Sequence, residues 1–98
     1  MNIKIWHEEI PVAEWEELTG AYNTSNLERF KVDPPMNTAL IQKIKEIEGV
    51  GESDELNSAV IISVSPTEIL IDEWCSLCGW ELVKKIREVL KQEEDLKS

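Results

Sequence analysis

The chain has 98 residues, of which 42% are hydrophobic and 31% charged, a composition typical of one small globular domain spanning residues 1–98. Twenty acidic and ten basic residues give a formal net charge of −10. Because nucleic acids and anionic membranes are bound by clustered lysine and arginine, this charge disfavours direct contact with either. The first residues lack the apolar stretch of a signal peptide, and no run reaches the ~20 residues that span a bilayer. We therefore expect a cytoplasmic protein.

The N-terminal third predicts a strand, a short helix and a long connector. Ile3 and Ile5 alternate with polar or amphipathic neighbours, a pattern typical of a strand with one buried face. A helix of about two turns is expected from Pro11 to Gly20, because proline suits the first helical position and glycine the end. Residues 21–35 are rich in turn formers, so we expect a connector that is either functional or conceals an unrecognised element.

The middle of the chain predicts a second helix, an acidic turn and a strand. An apolar stripe indicates a helix capped by Asn37 or Thr38 and ended by Gly49. Residues 52–55 are polar and acidic, which is typical of an exposed turn. The continuous apolar, β-branched run over residues 59–64 favours a central strand.

The C-terminal part predicts a hairpin partner strand and the strongest helix. After the turn at residues 65–67, Ile69 and Ile71 alternate with acidic residues and predict a strand. A helix beginning near Gly79 places Leu82, Val83, Ile86, Val89 and Leu90 on one face. The polar residues 91–98 are expected to fray.

These elements predict an α+β domain in the order β-α-loop-α-β-β-α. We expect a small single-layer sheet of about three strands with the helices packed on one face. The exposed edges of such a sheet leave open the formation of a homodimer by pairing across a two-fold axis.

The most unusual local feature is the pair Cys75 and Cys78, three residues apart between a predicted strand and a predicted helix. The positive end of a helix stabilises a thiolate, so Cys75 is the candidate attacking thiol and Cys78 the resolving one. The surrounding charge opposes this, because residues 51–75 contain six acids and no base and nearby carboxylates raise a thiol pKa.

The Trp74-Cys75-x-x-Cys78 segment resembles the thioredoxin active site over about ten residues, including its strand-to-helix setting. Only one predicted helix follows it, whereas thioredoxin-like folds continue with further strands. Pro66 precedes the cysteines instead of following them, so the family is not assigned.

Two other interpretations of the cysteines remain open. Both can be small buried hydrophobic residues at a packed junction. A zinc site would need ligands beyond the two thiols, and His7 is the only histidine, so we expect no metal and no cofactor. A four-cysteine site shared across a dimer would be the exception.

The acidic residues are unevenly distributed. Residues 1–20 contain five acids and one base, residues 51–75 contain six acids and no base, and the remaining stretches contain nine of each. Strand pairing that brought these two segments together would create a negative surface able to attract a basic partner. Acidity that serves only solubility is the alternative.

The sequence therefore favours a non-enzymatic protein-binding module, such as an inhibitor or accessory factor of the phage or mobile-element type, acting on a basic, nucleic-acid-handling partner. No catalytic residues are identified; a redox or regulatory dithiol at Cys75 and Cys78 is the alternative. The apolar anchor of the binding surface is expected to be Trp6 or Trp15. Its acidic contacts are expected to be Glu8, Glu9, Glu14, Glu16, Glu17, Glu52, Asp54, Glu55, Asp72 and Glu73.

Overall fold

A computed structural model describes residues 2–51 and 58–97, and side chains as far as Glu94. These residues form five strands and three helices. In chain order they are β1 (Lys4–Glu8), α1 (Val12–Tyr22), β2 (Leu27–Asp33), α2 (Thr38–Lys45), β3 (Val50–Gly51), β4 (Ser58–Ser65), β5 (Glu68–Glu73) and α3 (Ser76–Lys97).

The five strands form one antiparallel sheet in the order β1-β2-β5-β4-β3, curled into a half-barrel. The predicted small sheet of about three strands is therefore wrong. The missing strand is β2, which lies between β1 and β5 inside the segment predicted as a connector. The short β3 follows Gly49, where only the end of a helix was expected, and pairs with β4.

The prediction that all helices pack on one face is also wrong. Val32, Ile69 and Ile71 belong to the core formed with α2 and α3, and we call this the inner face. Because successive side chains of a strand alternate in direction, Arg29 and Leu70 point to the opposite, outer face. Helix α1 lies on that outer face, where its residue Glu14 contacts Arg29.

The inner layer contains the hydrophobic core. Five large side chains are fully buried there, and each contributes about 1.5–3 kcal/mol through removal of apolar surface from water. The predicted apolar stripes of the second and last helices supply three of them. The Asn37 side chain caps α2, as predicted, by accepting the backbone N–H of Leu40 at 2.8 Å. The five residues are Ile44, Ile69, Ile71, Leu82 and Ile86.

Helix α1 differs from the other two because none of its residues is buried. It passes Gly20, where the sequence predicted its end, and stops at Asn23. Asn23 adopts a left-handed conformation with φ of 55°, and its backbone N–H donates to Thr19 O. Asparagine tolerates this conformation better than most residues, so it replaces the expected glycine as the terminating signal.

Helix α3 runs to Lys97, through the residues expected to fray. Glu93 is buried and accepts Lys43 Nζ of α2 at 3.2 Å, which holds this end of the helix against its neighbour. Two other side chains of α3 reach the edge strand β1. Arg87 Nη2 lies 3.5 Å from the carbonyl oxygen of Ile5, and Glu94 accepts the backbone N–H of Ile3.

Candidate functional site: the acidic outer face and the dithiol

A buried cation on the outer face connects the two acidic segments of the chain. Arg29 is only 8% exposed and donates through Nη2 to Glu14 of α1. Its Nε lies 2.9 Å from Glu68 Oε1 of β5, an ion pair without hydrogen-bond geometry. The guanidinium therefore holds an acidic helix and an acidic strand against each other across β2.

The electrostatic environment keeps Arg29 charged. The hydrogen bond to Glu14 raises the pKa of the Arg29 guanidinium, the Glu68 carboxylate adds to this, and burial acts in the opposite direction. Lys31, two residues along β2, lies 3.8 Å from the same Glu68 oxygen. Two basic residues of β2 thus share the carboxylate of one β5 residue.

The predicted acidic contacts do not all lie together. Glu8 has the register of the outer face, and Glu14, Glu16 and Glu17 belong to α1. Asp72 is also on the outer face, where it accepts Thr24 Oγ1 at 2.9 Å.

Glu9 and Glu73 lie elsewhere. Glu9 follows β1 beside a shallow groove that also contains Trp15. Glu73 has the register of Ile69 and Ile71, so it faces the inner side. The remaining predicted contacts, Glu52, Asp54 and Glu55, lie outside the described residues.

The two predicted aromatic anchors are exposed to different extents. Trp6 lies on the outer face of β1 and is 44% exposed. Trp15 is half-buried and lines the shallow groove together with Leu27. Among the described residues Trp80 is the most exposed tryptophan, at 65%, and the sequence did not indicate it as a site residue.

The two sides of the sheet differ in net charge. The outer-face strand residues together with α1 contain seven acids and three bases, a net charge of −4. The inner-face strand residues, which include Glu28 and Glu73, together with α2 and α3 contain seven acids and seven bases, a net charge of zero. Among the described strands and helices, the side that carries α1 is therefore the more acidic one.

The cysteine pair occupies the beginning of α3. Cys75 directly precedes the first helical residue, and its sulfur accepts the backbone N–H groups of Cys78 and Leu77. The thiol of Cys78 also donates to Cys75. The backbone N–H of Cys78 makes the largest contribution to lowering the pKa of the Cys75 thiol, while burial and the Glu73 carboxylate oppose it.

The two thiols are shifted in opposite directions. Burial raises the pKa of Cys78 above its ordinary value, and the hydrogen bond to Cys75 raises it further. The sequence led us to expect that nearby carboxylates would oppose a reactive Cys75. Glu73 does so, but the hydrogen bonds at the helix start outweigh it. The two cysteines are not joined by a disulfide, both are half-buried, and Cys78 also packs against the hydrophobic core.

A second group of residues was missed by the sequence interpretation. Trp80, Lys84 and Arg87 lie on one side of α3 and line a cleft against the inner face of the sheet. Their spacing of i, i+4 and i+7 is a sequence signal for one helical face. The apolar face of the same helix was recognised, whereas this adjoining basic and aromatic face was not.

No family model, curated protein or solved structure matches this chain. Within residues 2–51 and 58–97, no group of three or more histidine, cysteine, aspartate or glutamate side chains could hold a metal ion. No helix in the same ranges is long and apolar enough to cross a membrane. Function is therefore inferred from the geometry of the chain itself.

Proposed function

We propose that this protein is a non-enzymatic protein-binding module, an inhibitor or accessory factor, that engages a basic surface of a nucleic-acid-handling partner through its outer face. The observation that supports this most directly is the linkage of Glu14, Arg29 and Glu68. Arg29 offsets the repulsion between α1 and β5, so acids from distant segments are presented on one side of the molecule.

Such a surface would attract a basic partner and exclude nucleic acid from the same site. Complementary charge accelerates encounter and gives specificity, while a central aromatic residue supplies much of the binding energy. Trp6 is exposed on the outer face, opposite Lys31 and between Lys4 and Glu8, and has the chemistry of such an anchor. Glu16 and Glu17 are exposed on α1 and would supply charged contacts.

The test measures binding to an arginine-rich peptide as a basic probe over a range of salt concentrations. Glu16→Gln/Glu17→Gln is compared with Glu81→Gln/Glu88→Gln, which removes the same charge from exposed positions of α3. We expect the α1 variant to weaken binding roughly two- to thirtyfold, because exposed ion pairs are each worth about 0.2–1 kcal/mol. Equal weakening by both variants, or affinity independent of salt, would contradict a binding role for the outer face.

A thiol–disulfide function is the second candidate, favoured by the position of Cys75 at the start of α3 and the opposite pKa shifts of the two thiols. The Cys75 thiolate would attack a partner disulfide and release one partner thiolate. Cys78, losing its proton to solvent, would then attack the Cys75 sulfur and release the second. Two electrons pass to the partner, and a Cys75–Cys78 disulfide remains.

Alkylation by iodoacetamide against pH, followed by mass spectrometry, tests this candidate. Cys75 in Cys78→Ser and Cys78 in Cys75→Ser are measured separately. We expect Cys75 to react at lower pH than Cys78. In Cys78→Ser a hydroxyl replaces the thiol that donates to Cys75, so the pKa difference between the two thiols is smaller than in the wild type. If the pKa of Cys75 equals or exceeds that of Cys78, Cys75 is not the attacking thiolate.

A further inference from the structure

The inner side of the molecule contains a cleft that the proposed protein-binding surface does not use. It lies between the sheet and the N-terminal half of α3 and has a volume of about 540 Å³. This is within the range of ~300–1,000 Å³ typical of small-molecule sites. Its apolar lining is formed by the half-buried Phe30 and Val83, and the cleft reaches down to the fully buried Ile71.

The wall on the α3 side combines an aromatic surface with positive charge. Trp80 is 65% exposed, and Lys84 Nζ lies 5.6 Å from the centre of its ring, a cation–π contact. Arg87 lines the cleft one turn further along. It donates from Nη2 to Ile5 O, and a guanidinium has five N–H donors in all, so donors remain for a ligand.

The opposite end of the cleft contains Glu73. Burial raises the pKa of its carboxyl, Glu28 raises it further, and His7 opposes the shift. Gly79 is buried beside it, and a Cβ at that position would overlap the Glu73 side chain. The missing side chain thus lets the carboxyl lie against α3, and the cleft extends from there to Arg87.

The dimensions and the charge together restrict the chemistry of an occupant. Gly79 and Arg87 are eight residues apart on α3, a separation of about 12 Å along the helix axis. The apolar lining offers few polar partners for a sugar or a nucleobase, which would be left with unsatisfied hydrogen-bonding groups. The two bases that line the cleft favour an anion, although the chain as a whole has a net charge of −10.

We propose that this cleft binds a linear acyl carboxylate, with its carboxylate between Lys84 and Arg87 and its chain along Phe30 and Val83. Charge-assisted hydrogen bonds from Arg87 hold the carboxylate, and burial of the chain supplies the hydrophobic contribution. Trp80 covers the chain from the solvent side. The ligand approaches from the face opposite α1, so it leaves the outer face accessible.

Isothermal titration with sodium decanoate tests the proposal, with decan-1-ol as an uncharged ligand and octanoate as a shorter one. We expect one decanoate per chain, weaker binding of octanoate, and at least tenfold weaker binding of decan-1-ol. Lys84→Gln/Arg87→Gln is expected to weaken decanoate binding about tenfold, through loss of two charged contacts. The control Lys85→Gln, on an exposed position that does not line the cleft, retains the affinity.

Backbone amide chemical shifts in ¹⁵N spectra locate the ligand. Shifts confined to residues around Phe30, Val83 and Trp80 are expected. Decan-1-ol binding as tightly as decanoate, unchanged affinity in Lys84→Gln/Arg87→Gln, several ligands per chain or no binding would each overturn the proposal. Glu16→Gln/Glu17→Gln is expected to bind decanoate normally, so this result is independent of the fate of the protein-binding proposal.

Discussion

The two sides of the sheet retain their helices by different interactions. On the inner side, α2 and α3 bury large aliphatic side chains such as Ile44, Leu82 and Ile86 completely. On the outer side, no residue of α1 is itself buried; Leu27 and Leu70 of the sheet are buried there, and Glu14 of α1 forms an ion pair with Arg29. Burial of apolar surface is a large contribution, whereas partly exposed ion pairs contribute little. Most of the buried aliphatic side chains lie in the inner layer, so we expect most of the stability to come from there.

The largest effect is expected from the inner layer. Ile86→Ala removes most of a fully buried side chain and leaves a cavity, so it should lower the free energy of unfolding by about 2–5 kcal/mol. Urea denaturation measures the loss. The control Val12→Ala, at an α1 side chain that is 85% exposed, should change stability by less than about 0.5 kcal/mol. A similar loss of unfolding free energy in the two variants would contradict the larger contribution of the inner layer to stability.

A smaller effect is expected from the connection of α1 to the sheet. Arg29→Gln removes the cation shared by Glu14 and Glu68, which remain partly exposed to solvent, and should cost roughly 1–2 kcal/mol. Hydrogen exchange should accelerate in α1 more than in α3. Lys31→Gln removes a more distant charge from the same Glu68 carboxylate and should leave α1 protected. Equal acceleration in both helices would show that Arg29 stabilises the whole fold instead.

The smallest effect concerns Glu73 and depends on pH. Its raised pKa means that the folded state holds the proton more tightly than the unfolded chain. Stability therefore falls as pH rises from the ordinary value of 4.5 through the folded-state pKa, and the penalty persists at neutral pH. Glu73→Gln removes this penalty.

The variant should consequently show a slightly higher Tm than the wild type at pH 7, with the difference disappearing below about pH 4.5. Thermal unfolding followed by circular dichroism over this range measures the convergence. Glu88→Gln, at an exposed position of α3, is the control and should show no such convergence. A Glu73→Gln difference that is constant with pH would contradict the assignment.

The sequence predicted the elements with one apolar face and failed at the strand without one. Helices α2 and α3 and strand β5 are confirmed, because their apolar residues repeat with the period of the element. Strand β4 is confirmed because its apolar, β-branched run is continuous. In β2, Leu27 points to the outer face, while Phe30 and Val32 point inward. The buried outer position between them is filled by Arg29, whose partners lie in α1 and β5. Periodicity along one segment contains no information on such long-range ion pairs, so the strand was taken for a connector.

The candidate sites show the same limit. The spacing of Cys75 and Cys78 and their position before a helix were predictable from local sequence. The direction of the Cys75 pKa was not, because a count of nearby carboxylates contains no information on the N–H groups that the sulfur accepts. The cleft was missed because its residues come from β2, β5 and α3, which only the folded chain brings together.

The contacts from α3 to β1 have a consequence for the behaviour of the protein at high concentration. Val32 donates its backbone N–H to Thr67, on the side away from β1. Val32 and its partner Ile5 are therefore a non-hydrogen-bonded pair, and the backbone N–H and carbonyl of Ile5 point to the free edge of the sheet. Arg87 donates to the carbonyl oxygen of Ile5, and Glu94 accepts the backbone N–H of Ile3. A strand from another molecule would first have to displace both side chains. This edge is therefore protected against the backbone pairing that begins amyloid-like aggregation, even though the strand itself is largely exposed.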